Sequence, residues 1–210
     1  MLCPPAAGQK YYFYEDVHRG NWGELYEHAA GFFDEGLETL LDVGCGTGLE
    51  LEAVYRRFPE AEVLGVDLSG DMLAKAREKF AGRRFRGIEA DYFVHPFPAE
   101  AFDAALSFET LHHFPYEKKG KIYEKLFGAL KPGGYYIEFD YVACCQEEED
   151  LCRERLARAR AKSALPPDCF LHIDTPLTLT HQTELMEAAG FRARVLHRNG
   201  STAVFRAEKQ

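Results

Sequence analysis

Residues 40–48 read LLDVGCGTG, an apolar run that ends in three alternating glycines. A helical pattern begins directly afterwards at Leu49, so the stretch predicts a buried strand, a tight loop and a helix. Glycine adopts positive φ without strain and lets a ligand approach the bare backbone. The helix N-terminus behind the loop presents unpaired N–H groups and a partial positive charge. The stretch therefore predicts a loop that binds a polar or anionic group.

Strand-like apolar runs alternate with helical patterns through most of the chain, which predicts an α/β fold with a parallel sheet. Two further helices and a terminal hairpin across Asn199-Gly200 follow the fifth strand. The predicted strands are Leu37–Val43, Val63–Leu68, Phe85–Glu89, Phe102–Phe108, Tyr135–Tyr141, Phe191–His197 and Thr202–Ala207.

Length and composition narrow the classes of function. The chain has 210 residues and a net charge of −9, which suits one domain over residues 1–210 and disfavours nucleic acid as a substrate. No apolar run approaches the ~20 residues that span a bilayer, and the first ten residues lack a signal-peptide pattern. The six cysteines form no CxxC pair, so we expect reduced thiols, no metal site and a cytoplasmic protein without membrane contact.

Two acidic residues at strand ends suggest what the glycine loop binds. Asp67 ends the second strand, where a carboxylate reaches a ribose across the switch point of the sheet. Asp91 follows the third strand and could accept an adenine amine. The loop has the spacing GxGxG, with Leu49 where the dinucleotide pattern GxGxxG requires glycine. These residues favour an adenosine compound and disfavour a nicotinamide dinucleotide.

Five motifs occur in an order that resembles the class I S-adenosylmethionine-dependent methyltransferases of the small-molecule type. They are LLDVGCGTG at 40–48, VLGVDLSGDML at 63–73, IEADYF at 88–93, FDAALSFETLHHF at 102–114 and LKPGG at 130–134. The resemblance implies a three-layer αβα Rossmann-like sandwich. Its seven-stranded, mostly parallel sheet would have the order 3-2-1-4-5-7-6, with strand 7 antiparallel.

The resemblance also assigns residues to S-adenosyl-L-methionine, the cofactor, and to its product S-adenosyl-L-homocysteine. Each group of residues would contact one part of the cofactor. Gly44, Cys45 and Gly46 would lie under the methionine part, and Asp67 would hold the ribose. Leu68 and Met72 would flank the adenine, and Asp91 and Tyr92 would receive its amine. Ser107 and Phe108 would lie beside the sulfonium, and Trp22 would cover the cofactor.

The acceptor side is less defined by the sequence. The family resemblance implies methyl transfer to an oxygen or nitrogen of a small molecule, with His112 or His113 removing a proton. Residues 11–36 would form an N-terminal helical lid and residues 142–180 a helical substrate cap, in a monomer or homodimer. The candidate substrate residues are Tyr14, Glu109, Asp140, Tyr141 and His172.

Two alternatives keep the same fold. A carboxy-S-adenosylmethionine synthase-like enzyme would modify the cofactor and would need cations, for which Arg153, Arg155 or Arg158 are candidates. A non-catalytic protein that binds S-adenosylmethionine or S-adenosylhomocysteine would also keep Gly44, Asp67 and Asp91. A nicotinamide oxidoreductase is a weaker alternative because the glycine spacing disagrees and no Tyr-x-x-x-Lys pair occurs.

Overall fold

The computed structural model describes residues 22–166 and 170–210, and these residues build one central sheet. The sheet order is β3-β2-β1-β4-β5-β8-β7, and a short strand, β6, pairs with the end of β5. The strands are β1 (Thr39–Val43), β2 (Glu62–Asp67), β3 (Phe85–Glu89), β4 (Phe102–Phe108), β5 (Leu130–Ala143), β6 (Leu177–Thr178), β7 (Arg192–Asn199) and β8 (Thr202–Glu208).

The topology confirms the predicted fold class. Strands β1 to β5 pair in parallel, β8 lies antiparallel to β5, and β7 lies antiparallel to β8. The order therefore equals 3-2-1-4-5-7-6 once the two-residue β6 is set aside. The predicted terminal hairpin is present, but its turn is shifted by one residue. Asn199 still pairs with Thr202, so Gly200, which has a φ of 58°, and Ser201 form the turn.

Helices cover both faces of the sheet because β1 is apolar on both sides. Leu40 packs into one core cluster with α1 and α2, whereas Leu41 packs into a second cluster with α4 and α6. The helices are α1 (residues 22–28), α2 (Leu49–Arg57), α3 (Gly70–Lys79), α4 (Tyr116–Ala129), α5 (Gln146–Lys162) and α6 (Leu179–Ala188), with 3-10 turns at Ala29–Phe32 and Leu111–His113.

The start of β5 differs from the prediction. The sequence LKPGG suggests a turn before a strand at Tyr135, but the strand already begins at Leu130, which pairs with Phe102. Gly133 has a φ of 78° and its N–H donates to Lys209 O, so the glycines bend the strand without ending it. The register between β4 and β5 shifts at this point.

Part of the predicted N-terminal lid can be placed. Residues 22–32 are helical and buried against the sheet at Trp22 and Tyr26. The earlier part of the lid, with the candidate substrate residue Tyr14, lies outside the described residues. Within the described ranges, no helix has the length and apolar character needed to cross a membrane.

Two glycine-to-alanine substitutions distinguish a glycine required by close backbone packing from a glycine that merely weakens a helix. A Cβ on Gly134 would lie 2.9 Å from both Asp103 O and Lys131 O, so Gly134→Ala should lower the free energy of unfolding by about 1–3 kcal/mol. Gly128 lies exposed in α4 with open space around it, so Gly128→Ala should raise that free energy by up to about 1 kcal/mol. Urea unfolding of both variants measures the difference, and equal effects would contradict the packing at Gly134.

Candidate functional site

The glycine loop lies at the carboxyl end of β1 and is packed too tightly for side chains. Gly44 has a φ of 74°, and a Cβ there would overlap the side chain of Thr110. The N–H of Gly44 donates to Val66 O over 2.7 Å, which joins the loop to the end of β2. Gly48, in a left-handed conformation, is the N-cap of α2. Sequence reasoning found the glycines but not Thr110, whose position depends on the neighbouring strand.

The carboxylate of Asp67 connects the glycine loop to the loop after β2. Its Oδ2 accepts the N–H of Gly46 over 2.9 Å, and its Oδ1 accepts the N–H of Ser69 over 2.8 Å. Burial raises the pKa of Asp67, and these backbone donors oppose that rise. Met72, in the first turn of α3, lies close to Gly46. The structure therefore brings together three of the residues predicted to bind the cofactor.

The predicted adenine end lies at the carboxyl end of β3. Asp91 Oδ1 accepts the N–H of Phe93 over 2.8 Å and so forms a turn. Tyr92 is buried in the core beside α4, and its carbonyl accepts a hydrogen bond from Lys125 Nζ over 2.6 Å. Leu68 lies half-buried between Asp67 and α3. The roles predicted for Asp91, Tyr92 and Leu68 in adenine binding stay predictions.

Helix α1 is bonded to the ends of β4 and β5. Trp22 Nε1 donates to the hydroxyl of Tyr141 over 3.1 Å, and the hydroxyl of Tyr26 donates to Glu109 Oε2 over 2.9 Å. The rings of Tyr26 and Phe108 stack with centroids 4.0 Å apart. Trp22 and Phe108, two predicted cofactor residues, thus adjoin the predicted substrate residues Glu109 and Tyr141.

Glu109 itself is held in a costly backbone conformation. It has a φ of 50°, in the left-handed region that non-glycine residues seldom adopt, directly after the last residue of β4. Its N–H donates to Phe139 O over 2.8 Å, which continues the bonding to β5 past the end of the strand. Such conformations cluster at functional sites because surrounding contacts must hold them.

His112 is buried and oriented by an acid from the next strand. Its Nδ1 lies 2.5 Å from Oδ1 of Asp140, which is completely buried on β5. Burial alone would raise the pKa of Asp140, but the charge and hydrogen bond of His112 outweigh it, so the pKa is lowered. With Nδ1 engaged, the Nε2 of His112 is the ring nitrogen left for other partners. A predicted catalytic residue and a predicted substrate residue therefore form one pair.

A loop from the predicted substrate cap reaches this histidine pair. Asp174 Oδ1 lies 3.0 Å from His113 Nδ1 and 3.8 Å from His112 Nε2. The ring of His172, another predicted substrate residue, lies with its centroid 4.2 Å from that of His113. Burial, together with the neighbouring His112 and His172, lowers the pKa of His113 to about 2, so this imidazole is neutral at working pH.

Thr175 explains why that loop comes so close. Its N–H and its hydroxyl both donate to the carbonyl of His112, over 2.6 and 3.1 Å. Two donors on one buried carbonyl fix the adjacent Asp174 beside the imidazoles. Sequence reasoning missed this contact because a lone threonine in an irregular segment carries no signal of its partner.

Ser107 faces away from Phe108 because side chains alternate along β4. Its hydroxyl lies 2.6 Å from that of Tyr136, inside a buried polar network under α4 and α6. Any contact of Ser107 with a cofactor at the strand edge would therefore involve its backbone. In the same network, Glu138 accepts the hydroxyls of Tyr123 and Tyr136 over 2.8 and 3.0 Å, and burial raises its pKa to about 8.

A buried pair of acids flanks the glycine loop. Asp42 on β1 is completely buried, and Glu50 in the first turn of α2 is 5% exposed. The two carboxyl groups are neighbours, and burial raises the pKa of Asp42 well above its usual value and that of Glu50 to about 7. The nearby Cys45 is buried as well, and its thiol has a raised pKa for the same reason.

Comparison with known proteins agrees with this geometry. Residues 40–134 match the model of a methyltransferase domain family. Trans-aconitate 2-methyltransferase of Rhodopseudomonas palustris is 38% identical over 96 residues, which cover 45% of this chain and 35% of that protein. Fatty-acid O-methyltransferase of Mycolicibacterium smegmatis is 32% identical over 119 residues, covering 56% of this chain and 42% of that protein. The chain thus spans less than half the length of each relative.

A solved structure agrees with the fold along nearly the whole chain. Human N-acetylserotonin methyltransferase in complex with S-adenosylmethionine superimposes with a TM-score of 0.68 at 18% identity. The match covers 98% of this chain and 60% of that protein. At this level of identity, the likeness is one of fold.

The Asp42–Glu50 pair predicts a specific pH dependence of stability. Both groups ionise near pH 4 in the unfolded chain but hold their protons to higher pH when folded, so the free energy of unfolding falls as pH rises from about 4 through 7. Each such group contributes up to about 1.4 kcal/mol per pH unit. In Glu50→Gln the fall should be shallower, as urea unfolding between pH 5 and 8 would show. A Glu60→Gln control, at an exposed position, should keep the original slope, and equal slopes in all three proteins would contradict the assignment.

Proposed function

We propose that this chain belongs to the class I S-adenosylmethionine-dependent methyltransferases and that it methylates an oxygen or nitrogen atom of a small molecule. The methyl group would come from the sulfonium of S-adenosylmethionine, leaving S-adenosylhomocysteine. Residues 1–210 would act as a single methyltransferase domain, with residues 11–36 as the lid and residues 142–180 as the substrate cap. The cytoplasmic location and the monomeric or homodimeric state stay predictions.

The observation that carries this proposal is the bridge made by Asp67 between two loops at one sheet edge. Gly46 N and Ser69 N both donate to its carboxylate, so the acid is fixed where the first two strands end. Ligands of open α/β sheets bind at this edge. A fixed carboxylate beside side-chain-free glycines suits a ligand with vicinal hydroxyls and an amino-acid tail.

The cofactor would extend from the end of β3 to the end of β4. We assign its adenine to Leu68, Met72, Asp91 and Tyr92, its ribose to Asp67, and its methionine part to the glycine loop. Trp22 and the backbone at Ser107 and Phe108 would lie near the sulfonium. Because the sulfonium supplies the electrophile, the protein has to supply orientation and electrostatics.

The acceptor would lie where α1, β4, β5 and the substrate cap meet. Tyr141 and Glu109 each bond to α1 there, and His112 is held from below by Asp140. An oxygen or nitrogen acceptor reacts faster once its proton is removed, and an oriented imidazole is suited to that role. We propose that the His112–Asp140 pair activates the acceptor atom.

The carboxy-S-adenosylmethionine synthase alternative receives no support from α5. Arg153 and Arg158 are exposed and lie within ion-pair distance of Asp150 and Glu154 on the same helix. Such pairs are typical of a solvated helix face. The other alternative, a non-catalytic binding protein, makes the same cofactor contacts and is tested by turnover.

The first test concerns the ribose. Asp67→Ala should weaken binding of S-adenosylhomocysteine by about 1.5–3 kcal/mol, the range for a hydrogen bond to a charged group. Isothermal titration calorimetry with the chain and the variant measures this change. Asp71→Ala, an exposed acid in the first turn of α3, serves as the matched control and should bind normally.

A ligand that lacks the 2′ and 3′ hydroxyls separates direct contact from damage to the loop. If Asp67 holds the ribose, dideoxy-S-adenosylhomocysteine should bind the original chain and Asp67→Ala with similar affinity. An equal loss for both ligands would show that Asp67 acts through Gly46 and Ser69 alone. No binding of S-adenosylhomocysteine to the original chain would refute the proposed function.

The second test concerns turnover. The chain, incubated with methyl-labelled S-adenosylmethionine and a metabolite extract, should yield a labelled product. His112→Ala should slow labelling by at least about 100-fold while S-adenosylhomocysteine still binds, because it removes the group that activates the acceptor. His181→Ala, which removes another carboxylate-paired histidine, should label normally. Binding without labelled product from any extract would favour the non-catalytic alternative.

A further inference from the structure

We infer that His112, His113 and Asp174 form a binding site for a divalent first-row transition metal ion. This inference rests on the proposed function, since the bound ion would be the means by which His112 activates the acceptor. Within the described ranges, these three residues are the group of histidine, cysteine and acidic side chains close enough together to share one ion.

The ligand atoms have the spacing of a coordination shell. One nitrogen of each histidine and one oxygen of Asp174 lie within 4.8 Å of one another. Asp174 Oδ1 is 3.0 Å from His113 Nδ1 and 3.8 Å from His112 Nε2. Ligands about 2.0–2.1 Å from a tetrahedral metal ion lie roughly 3.3 Å apart, between those two values. Small movements of the exposed Asp174 side chain would close the shell.

The 3.0 Å contact is not explained by a hydrogen bond. His113 Nδ1 is buried and has no hydrogen-bond partner among the described residues, although the Asp174 oxygen is so near. Buried polar atoms are nearly always paired in folded proteins. A cation placed between the His113 nitrogen and the Asp174 oxygen would pair with both.

The surroundings orient the ligands as a metal site requires. Asp140 engages Nδ1 of His112 and leaves Nε2 toward Asp174, the arrangement in which a carboxylate fixes a metal-binding imidazole. Thr175 fixes the loop that carries Asp174 by donating twice to the His112 carbonyl. His112 and the backbone beside Asp174 are therefore held by contacts that do not depend on the ion.

The ligand types select the kind of ion and the kind of acceptor. Two imidazoles with one carboxylate suit Zn²⁺, Co²⁺ or Fe²⁺, whereas Mg²⁺ and Ca²⁺ prefer oxygen ligands. Three protein ligands leave at least one position for water or for an acceptor atom. An ion there would lower the pKa of a bound hydroxyl group, so that its proton would pass to water and the oxygen would attack the methyl group as an anion. The site therefore favours an oxygen acceptor over a nitrogen acceptor.

Metal titration of the chelator-treated chain tests the inference without an acceptor. Co²⁺ should bind one-to-one with visible absorption bands, Zn²⁺ should displace it, and Mg²⁺ should not. Asp174→Asn, at an exposed side chain, and His113→Ala should each weaken Zn²⁺ binding by more than about 100-fold. Asp140→Asn, which acts through His112, should weaken it about 10–100-fold. His181→Ala, which disrupts a histidine–carboxylate pair without a third ligand, should leave it unchanged.

The outcomes separate this inference from the proposed function. Equal Zn²⁺ affinity in the chain, Asp174→Asn and His113→Ala would overturn the metal site. Labelling that requires His112 but persists after the chelator has removed the ion would overturn the role of the ion in activating the acceptor, and would leave His112 as a direct base in a working methyltransferase. Failure to bind S-adenosylhomocysteine would refute the proposed function whatever the metal titration gives.

Discussion

The parallel pairing of β4 with β1 and β5 is the constraint on which the candidate site depends. It places the ends of three strands at one edge, although they are far apart in the sequence. Gly44 meets Thr110 there, and His112 meets Asp140, because the turn after β4 lies between the other two strand ends. Without that pairing, the glycine loop and the histidine pair would be unrelated turns.

Buried acidic residues are concentrated around this edge, and they are stabilised in different ways. Asp42 and Glu50 are buried next to each other, Glu138 accepts hydrogen bonds from tyrosine hydroxyls, and Asp140 is paired with an imidazole. The three arrangements give raised pKa values in the first two cases and a lowered one in the third. Of these four acids, Asp140 is thus the one favoured as an anion.

Local patterns were sufficient to predict most of the fold. Apolar runs, glycines and the hairpin near Gly200 each depend on nearby residues, and the strand order follows the family resemblance. The motif LKPGG predicts a turn and therefore a later start of β5, whereas pairing with Lys209 from the far end of the chain keeps these residues in the sheet. Local turn propensity contains no information about a pairing partner so distant in the sequence.

The candidate site was predictable where a motif carries the chemistry and obscure where contacts cross the fold. The glycines and Asp67 follow from spacing, and the structure places them together. Asp174 and Thr175 lie in an irregular segment without a periodic signal, so their approach to His112 could not be read from the sequence. The cysteine spacing used to argue against a metal site also could not reveal ligands that come from separate elements.

Residues 142–180 are attached to the sheet in a way that lets this segment change without changing the rest of the sheet. The segment leaves at the end of β5 and returns through two residue pairs, Val142 with Leu177 and Ala143 with Thr178. Insertions or deletions between those points would leave the registers of the main sheet unchanged. Under the proposed function, acceptor preference can therefore diverge among descendants of this chain while the cofactor side is inherited intact.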